Sequence, residues 1–353
     1  MAGSPQLKEL LDLVISQDGS DLHIYAGGPP IIRVAGALVP VSKLPALTNE
    51  QTEAMLKSIV PEDRWASFLK NQSIDLSYAH TNESRFRVNG YRAQGTTAIA
   101  LRLIPNKIRT FQELNLPSVL EAFTQREQGF FLVVGPVGQG KSTTLAAMVD
   151  RINESRAEHI LTIEDPVEYL FSPKKSLIHQ REIHIDAPDF HTALQGAFRE
   201  DVDVIMVGEM RDYETISSAV TAAETGHLVF STLHTNNAAQ TIDRIIDMFP
   251  AEQQDQVRVQ LAGSLAGIFS QRLIPRVSGG LIPAYELLIN NNAVANLIRE
   301  RRTHEISAVI QTSSQEGMID MDRALAELVR RGEITVEHAY EHAMDPKTFE
   351  RYL

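Results

Sequence analysis

Nine consecutive residues, Gly135-Pro136-Val137-Gly138-Gln139-Gly140-Lys141-Ser142-Thr143, meet the G-x-x-x-x-G-K-[ST] pattern directly behind the apolar run 130–134. Glycines let backbone N–H groups turn inward around a triphosphate. Lys141 brings a mobile cation to the β/γ-phosphates, and Ser142 offers a hydroxyl to Mg²⁺ at the start of a helix. The expected cofactors are therefore ATP and Mg²⁺. The chemistry is nucleotide hydrolysis.

Three further strands end in groups that could serve that site. Glu164 follows 160–163, Glu209 follows 202–207 and His234 follows 228–233. The stretch Val204-Ile205-Met206-Val207-Gly208-Glu209 reads as a Walker B strand whose terminal carboxylate holds the metal. The segment Ile163-Glu164-Asp165-Pro166-Val167-Glu168-Tyr169 gathers Glu164, Asp165 and Glu168 on a turn that Pro166 keeps out of helix, so one of them can orient the attacking water. Strand counting favours Glu164 for that task. His227 and His234 lie about 23 Å apart on an extended chain at ~3.3 Å per residue, so they cannot share a metal within that strand. His234 sits at the end where phosphates bind; His227, at the other, suits packing or a domain contact. Nearer the start, Arg85 and Arg87 share one strand face, and Arg102 interrupts the apolar run 97–104. An arginine in an apolar strand needs an anion. Either a triphosphate, met as by an arginine finger, or a surface acid such as Glu83 would satisfy it.

The elements that must position these residues fall into two halves. Apolar spacing predicts a helix over 6–16 with Leu7, Leu10, Leu11, Val14 and Ile15 on one face. Strands follow over 22–25 and 31–34, and the capping-box pattern Thr48-Asn49-Glu50-Gln51 opens a further helix. Alternating strands near 74–79, 85–93 and 97–104 complete an α+β domain over 1–108. Residues 105–110 read as a linker. From Gly129 strands at 130–134, 160–163, 202–207 and 228–233 alternate with helices at 142–153, 190–199 and 213–223, which predicts a mainly parallel, doubly covered α/β sheet over 109–353 with its ligand at the carboxyl ends. Beyond about Asn237 the chain reads as nearly all helical.

Bulk properties narrow the function classes. The 353 residues are 43% hydrophobic and 22% charged, typical of a chain folded throughout. No apolar run approaches the ~18 residues that span a bilayer, and the first seventeen residues lack a basic leader pattern, so a cytoplasmic protein with no membrane insertion is expected. The absence of cysteine excludes disulfides, thiolate catalysis and Cys-ligated zinc. A net charge of −12 disfavours a nucleic-acid coat, and no nucleic acid is expected as a partner.

Taken with Gly19-Ser20-Asp21-Leu22-His23-Ile24, the Ile160–Glu168 segment, the run Arg199–Asp212 and the run Thr221–Thr235, these motifs resemble the PilT family of type IV pilus retraction ATPases, within the secretion ATPase superfamily. The resemblance extends over roughly 6–345. It implies a hexameric ring of subunits, each with a PAS-like N-terminal domain, a RecA-like core and an all-helical C-terminal extension, with ATP bound between the two domains and closed upon during turnover. It further implies an inner-membrane pilus platform protein as partner and a cytoplasmic location peripheral to that membrane. By matching position, Lys141 is the Walker A lysine, Glu168 the general base, Glu209 the Walker B acid, His227 and His234 the histidine box, and Arg85, Arg87 and Arg102 the interdomain arginines. On the base, the family pattern is followed over the strand count. Val137 and Gln139 stand where the family commonly has Thr and Ser, and Asn296–Arg302 is a divergent form of a segment in which Gly is usual near 301. The related extension ATPases of pili and type II secretion usually carry a tetracysteine zinc element and a longer N-terminal region, whereas zero cysteines and about 128 residues before the core match the retraction group; a PilU-like accessory retraction ATPase shares the motifs. Two readings of other classes remain: a ring component that switches with nucleotide without turnover, separable by phosphate release, and a RecA-like translocase, separable by stimulation with single-stranded DNA.

Overall fold

Apolar residues at helical spacing bury Leu7, Leu10, Leu11 and Val14 in the first helix, α1 (Pro5–Ser16), whereas Ile15 remains 37% exposed and so falls outside the expected face. The computed structural model describes residues 3–34, 36–42, 44–81, 84–104 and 107–353. The chain divides into two units, Met1–Lys107 with Asp165–Leu170, and Ile108–Glu164 with Phe171–Leu353. The acidic turn after residue 164 thus groups with the first unit, although sequence reading puts it in the second half.

In the first unit, α1 is followed by β1 (Gly19–Tyr25), β2 (Ile31–Val34), β3 (Ala37–Pro40), α2 (Asn49–Lys57), α3 (Glu62–Asn71), β4 (Ser73–Ala79), β5 (Arg85–Ala93) and β6 (Thr96–Ile104). The strands pair antiparallel in the order β3-β2-β1-β6-β5-β4. Their inward residues, among them Leu22, Ile24, Phe86, Val88 and Leu101, pack with the apolar faces of the helices into one core. The capping box forms as its sequence predicts: Gln51 N donates to Thr48 Oγ1, and Thr48 N donates to Gln51 Oε1 at 2.8 Å. Strand β3 and helix α3 are additions to the sequence reading.

The second unit holds α4 (Leu120–Thr124), β7 (Gly129–Val134), α5 (Lys141–Ser155), β8 (His159–Glu164), β9 (Leu177–Glu182), α6 (Phe190–Ala197), β10 (Val204–Val207), α7 (Tyr213–Glu224), β11 (Leu228–Leu233), α8 (Ala238–Asp247), α9 (Gln254–Ser264), β12 (Leu265–Pro275), β13 (Leu281–Ile289), α10 (Asn292–Arg299), α11 (Ile306–Thr312), α12 (Met321–Arg330), α13 (Val336–His342) and α14 (Pro346–Tyr352). The sheet order is β13-β12-β7-β11-β10-β8-β9. Pairing is parallel from β12 through β9, and every residue of β7, β10 and β11 is buried, as a sheet covered on both faces requires.

One expectation is corrected here. The chain beyond Asn237 is not nearly all helical: β12 and β13 form an antiparallel hairpin that extends the sheet beside β7, and the helical extension begins only at Asn292. Both strands are apolar and buried almost throughout, so neither shows the alternation that betrays a half-exposed strand. Within the helical extension, Arg301 adopts φ +61°, a left-handed position of the kind glycine favours, and its guanidinium holds both carboxylate oxygens of Asp255 on α9.

The hairpin carries a buried carboxyl. Burial pushes Glu286 up to about 7, and the N–H of Ala238, which donates to its Oε1 at 2.8 Å, offsets that only in part. The folded chain therefore keeps a proton that the unfolded chain, near 4.5, releases. Its contribution to stability is full below about pH 4.5 and is lost as the pH rises through about 7, by at most about 3 kcal/mol. Glu286→Gln retains the acceptor and removes the titration. Urea midpoints of variant and parent should coincide near pH 5, and the variant should be the more stable at pH 8; equal midpoints at both would assign the pH dependence elsewhere.

Candidate nucleotide site

Strand register places the carboxyl ends of four parallel strands on one edge of the second unit. Val134 lies opposite Leu233, Val207 opposite Ser231, and Ile163 opposite Val207. The residues that follow, Gly135, His234, Gly208 and Glu164, therefore share that edge. Gly135, Gly138 and Gly140 all take positive φ, and at Gly135 a Cβ would come within 2.5 Å of the Gln271 carbonyl oxygen. No larger residue fits there.

Lys141 opens α5 and is buried, its ammonium donating to the carbonyl oxygens of Gly135 and Pro136 at 2.8 Å each and to His234 Nδ1 at 3.2 Å. The loop thus wraps its own lysine. Burial, and then the neighbouring Lys141 charge, hold His234 below its ordinary value of 6.5, with Glu209 acting in the opposite sense. The ring is neutral at pH 7, and its Nδ1 lone pair accepts from Lys141. Glu209 Oε2 lies 3.9 Å from His234 Nε2, and its other oxygen pairs with Arg211. Lys141, His234 and Glu209 are brought together. Glu164, at the end of β8, is buried and accepts hydrogen bonds from Thr162 Oγ1 at 2.7 Å and Gln180 Nε2 at 3.3 Å.

The departures from the family loop have local explanations. Val137 is 80% exposed and holds nothing in place. Gln139 docks the loop onto β12: its Oε1 accepts from Leu273 N and its carbonyl from Gln271 Nε2, both at 2.7 Å. Gln271 Oε1 in turn accepts from Thr144 on α5 at 2.7 Å. Gln271, Arg272 and Thr144 were missed by sequence reading. The available signal was the polar triplet Ser270-Gln271-Arg272 inside the apolar run 265–274.

His227 is not brought to this cluster. It precedes β11 at the opposite end from His234, where its Nδ1 donates to Ala222 O at 3.1 Å and its ring meets Phe198 edge-on.

In the first unit the arginines lie in a row across the sheet. Arg33, Asp21, Arg102, Arg87 and Ser77 are successive cross-strand partners on β2, β1, β6, β5 and β4. Arg87 and Arg102 stand directly opposite, an arrangement that repels unless anions intervene. Asp21 is one: Arg102 Nε donates to its Oδ1 at 2.8 Å and Ser20 to its Oδ2 at 2.7 Å. Burial opposes ionisation of Asp21, but the hydrogen bonds from Ser20 and Arg102 outweigh it and hold the carboxyl below the usual range. Glu168, half exposed on the segment 165–170, is the other, 3.6 Å from Arg87. The anion that Arg102 requires is thus found inside its own unit. Arg85 Nε is buried without a hydrogen-bond partner among the described residues, and Glu83, the surface acid considered for these arginines, lies outside them.

Comparison with known proteins agrees with the motifs. The profile of the type II/IV secretion system protein family matches residues 4–280. The chain is 45% identical to the type IV pilus retraction ATPase PilT of Pseudomonas aeruginosa, over 97% of this chain and 99% of that one. It is 39% identical to the type IV pilus ATPase PilU of the same organism, over 96% of this chain and 88% of the other. A crystal structure of the pilus retraction motor PilT with bound ADP superposes with a TM-score of 0.90, at 45% identity, covering 98% of this chain and 99% of that one.

Proposed function

The chain belongs to the type II/IV secretion system protein family, and on that premise we propose that it is the ATP-driven motor that retracts type IV pili. It is an ATP hydrolase of the RecA-like secretion ATPase fold. The observation that carries the reading is the joining of Lys141, His234 and Glu209 at the carboxyl edge of a parallel sheet, behind a glycine loop shaped for phosphates. Lys141 exchanges its loop carbonyls for phosphate oxygens. Neutral His234 holds the lysine or the attacking water through a nitrogen lone pair, and Glu168 takes the proton of that water. Arg85, Arg87 and Arg102 meet the charge that develops on the transferred phosphoryl group. His227 steadies the far end of β11 and takes no part in the chemistry.

The donor set suits Mg²⁺. Among the described residues no three His, Cys, Asp or Glu side chains gather as a metal cage, and Mg²⁺ asks for less: a hydroxyl such as Ser142, a carboxylate such as Glu209, and the phosphates of the nucleotide. When bound, the ion neutralises charge on the β- and γ-phosphates. Among the described residues no helix is long and apolar enough to cross a membrane. The motor reading makes the working form a homohexamer in the cytoplasm, docked on an inner-membrane platform protein of the pilus. Retraction is favoured over the accessory role by the higher identity to PilT than to PilU, 45% against 39%, and over extension by the absence of cysteine.

Imaging of fluorescently labelled pili tests this reading. Cells lacking the gene should assemble pili that no longer shorten, and the gene supplied in trans should restore shortening. Loss of the pili themselves would identify an extension motor, and unaltered retraction would remove the proposal.

A further inference from the structure

Arg272 takes no part in the chemistry described above, yet it is among the most enclosed charges of the second unit, 9% exposed. It projects from β12 two residues beyond Ser270, the position paired with Val134 at the end of β7. A Cβ built on Gly135 would sit 3.3 Å from its Nη1, so the guanidinium lies against the first turn of the phosphate loop. Its donors go elsewhere. Nη1 donates to the carbonyl oxygen of Gln271 at 3.1 Å, and Nη2 donates to Asn236 Oδ1 at 3.0 Å and Asn236 O at 3.3 Å. Ser270 Oγ adds a bond to the same Asn236 carbonyl at 2.8 Å. Asn236 is exposed and two residues past His234, and the other ties of the loop beyond His234, among the described residues, run to α8 and β13. There Glu286 accepts from Ala238 N, and Thr235 Oγ1 meets Thr241 Oγ1 at 2.7 Å. Burial weakens the hold of Arg272 on its proton without removing it, and Glu286, when ionised, favours the charged form.

We propose that Arg272 and Asn236 are positioning residues for ATP turnover: the planar fork of Arg272 clamps Asn236 to β12 and thereby fixes His234 against Lys141. The fork geometry matters, because Nη1 is tied to the Gln271 carbonyl while Nη2 holds both Asn236 oxygens, and a lysine keeps the charge but has one nitrogen and no planar fork to span the two sides. The inference rests on the reading that His234 acts in turnover. A displacement of about 1 Å in such a group is enough to cost up to roughly 10²-fold in rate.

Steady-state kinetics of the purified oligomer test it, with His234→Ala, Arg272→Lys, Asn236→Ala and the two doubles that include His234→Ala. Asn236→Ala removes an exposed side chain and endangers folding least. Arg272→Lys and Asn236→Ala should each lower kcat by about tenfold with the KM for ATP within about threefold, and neither should lower it further in the His234→Ala background, because residues acting through one group are non-additive. Full additivity in the doubles, with His234→Ala itself impaired, would overturn the positioning role alone. A rise in KM as the main effect of Arg272→Lys would make Arg272 a direct nucleotide contact and also overturn it. Full activity of His234→Ala would overturn the reading of His234 and this inference with it.

Discussion

Glu168→Gln is expected to lower kcat by roughly 10²- to 10⁴-fold while ATP still binds, the range lost when a general base is neutralised in place. Glu164→Gln is expected to lose far less turnover and more stability. Glu164 is buried, and its Oε1 accepts from Thr162 within β8 and from Gln180 on β9, the second bond tying the two strands. A glutamine that keeps its carbonyl oxygen on Thr162 and Gln180 puts an amide donor in place of Oε2, and a donor left without an acceptor in a buried site costs about 1–3 kcal/mol. Glu168 is half exposed, and its ion pair with Arg87 at 3.6 Å, between two exposed side chains, contributes little to stability. It can reach a water without breaking the fold. Single-turnover phosphate release and nucleotide binding, measured on both variants with their unfolding midpoints, separate the two. An inactive Glu164→Gln beside an active Glu168→Gln would reverse the assignment of the base.

The legible part of the site was the part encoded in consecutive residues. The phosphate loop, the strand before it and the helix behind it could be read directly, because glycine, lysine and hydroxyl spacing has few other uses between a strand and a helix. Strand ends were legible for the same reason, and register sets Glu164 and His234 on the edge where counting put them. What needed three dimensions was partnership. The partner of Arg102 is Asp21, distant in sequence and adjacent only through the β1–β6 register. The brace of the phosphate loop is Gln271, on a strand that sequence reading took for helix because an apolar segment buried on both faces carries no periodicity to distinguish the two. Strand β9, a polar edge strand, gave no apolar signal at all beyond Leu177 and Ile178. Arg301 sits in the backbone conformation that glycine would adopt, so the divergence there changes the side chain and leaves the turn.

Lys141→Ala bears on everything above, since each proposed role presupposes a triphosphate held by this loop. The ammonium makes hydrogen bonds to Gly135 O and Pro136 O, each worth about 1.5–3 kcal/mol for a charged donor, but both lie within the loop and their loss is offset by no longer burying the charge, so the cooperative unfolding of the chain should persist. The same removal takes away the one cation that the loop places against the β- and γ-phosphates. Losing a single preorganised donor to a developing charge costs roughly 10²- to 10³-fold, and losing a full charge at least as much. The most direct measurement is therefore the rate of phosphate release from Mg-ATP by the purified Lys141→Ala protein, beside the parent and with circular dichroism of both. The account predicts release reduced at least about 10³-fold with the secondary structure retained. Release at the parent's rate by a folded variant would contradict it.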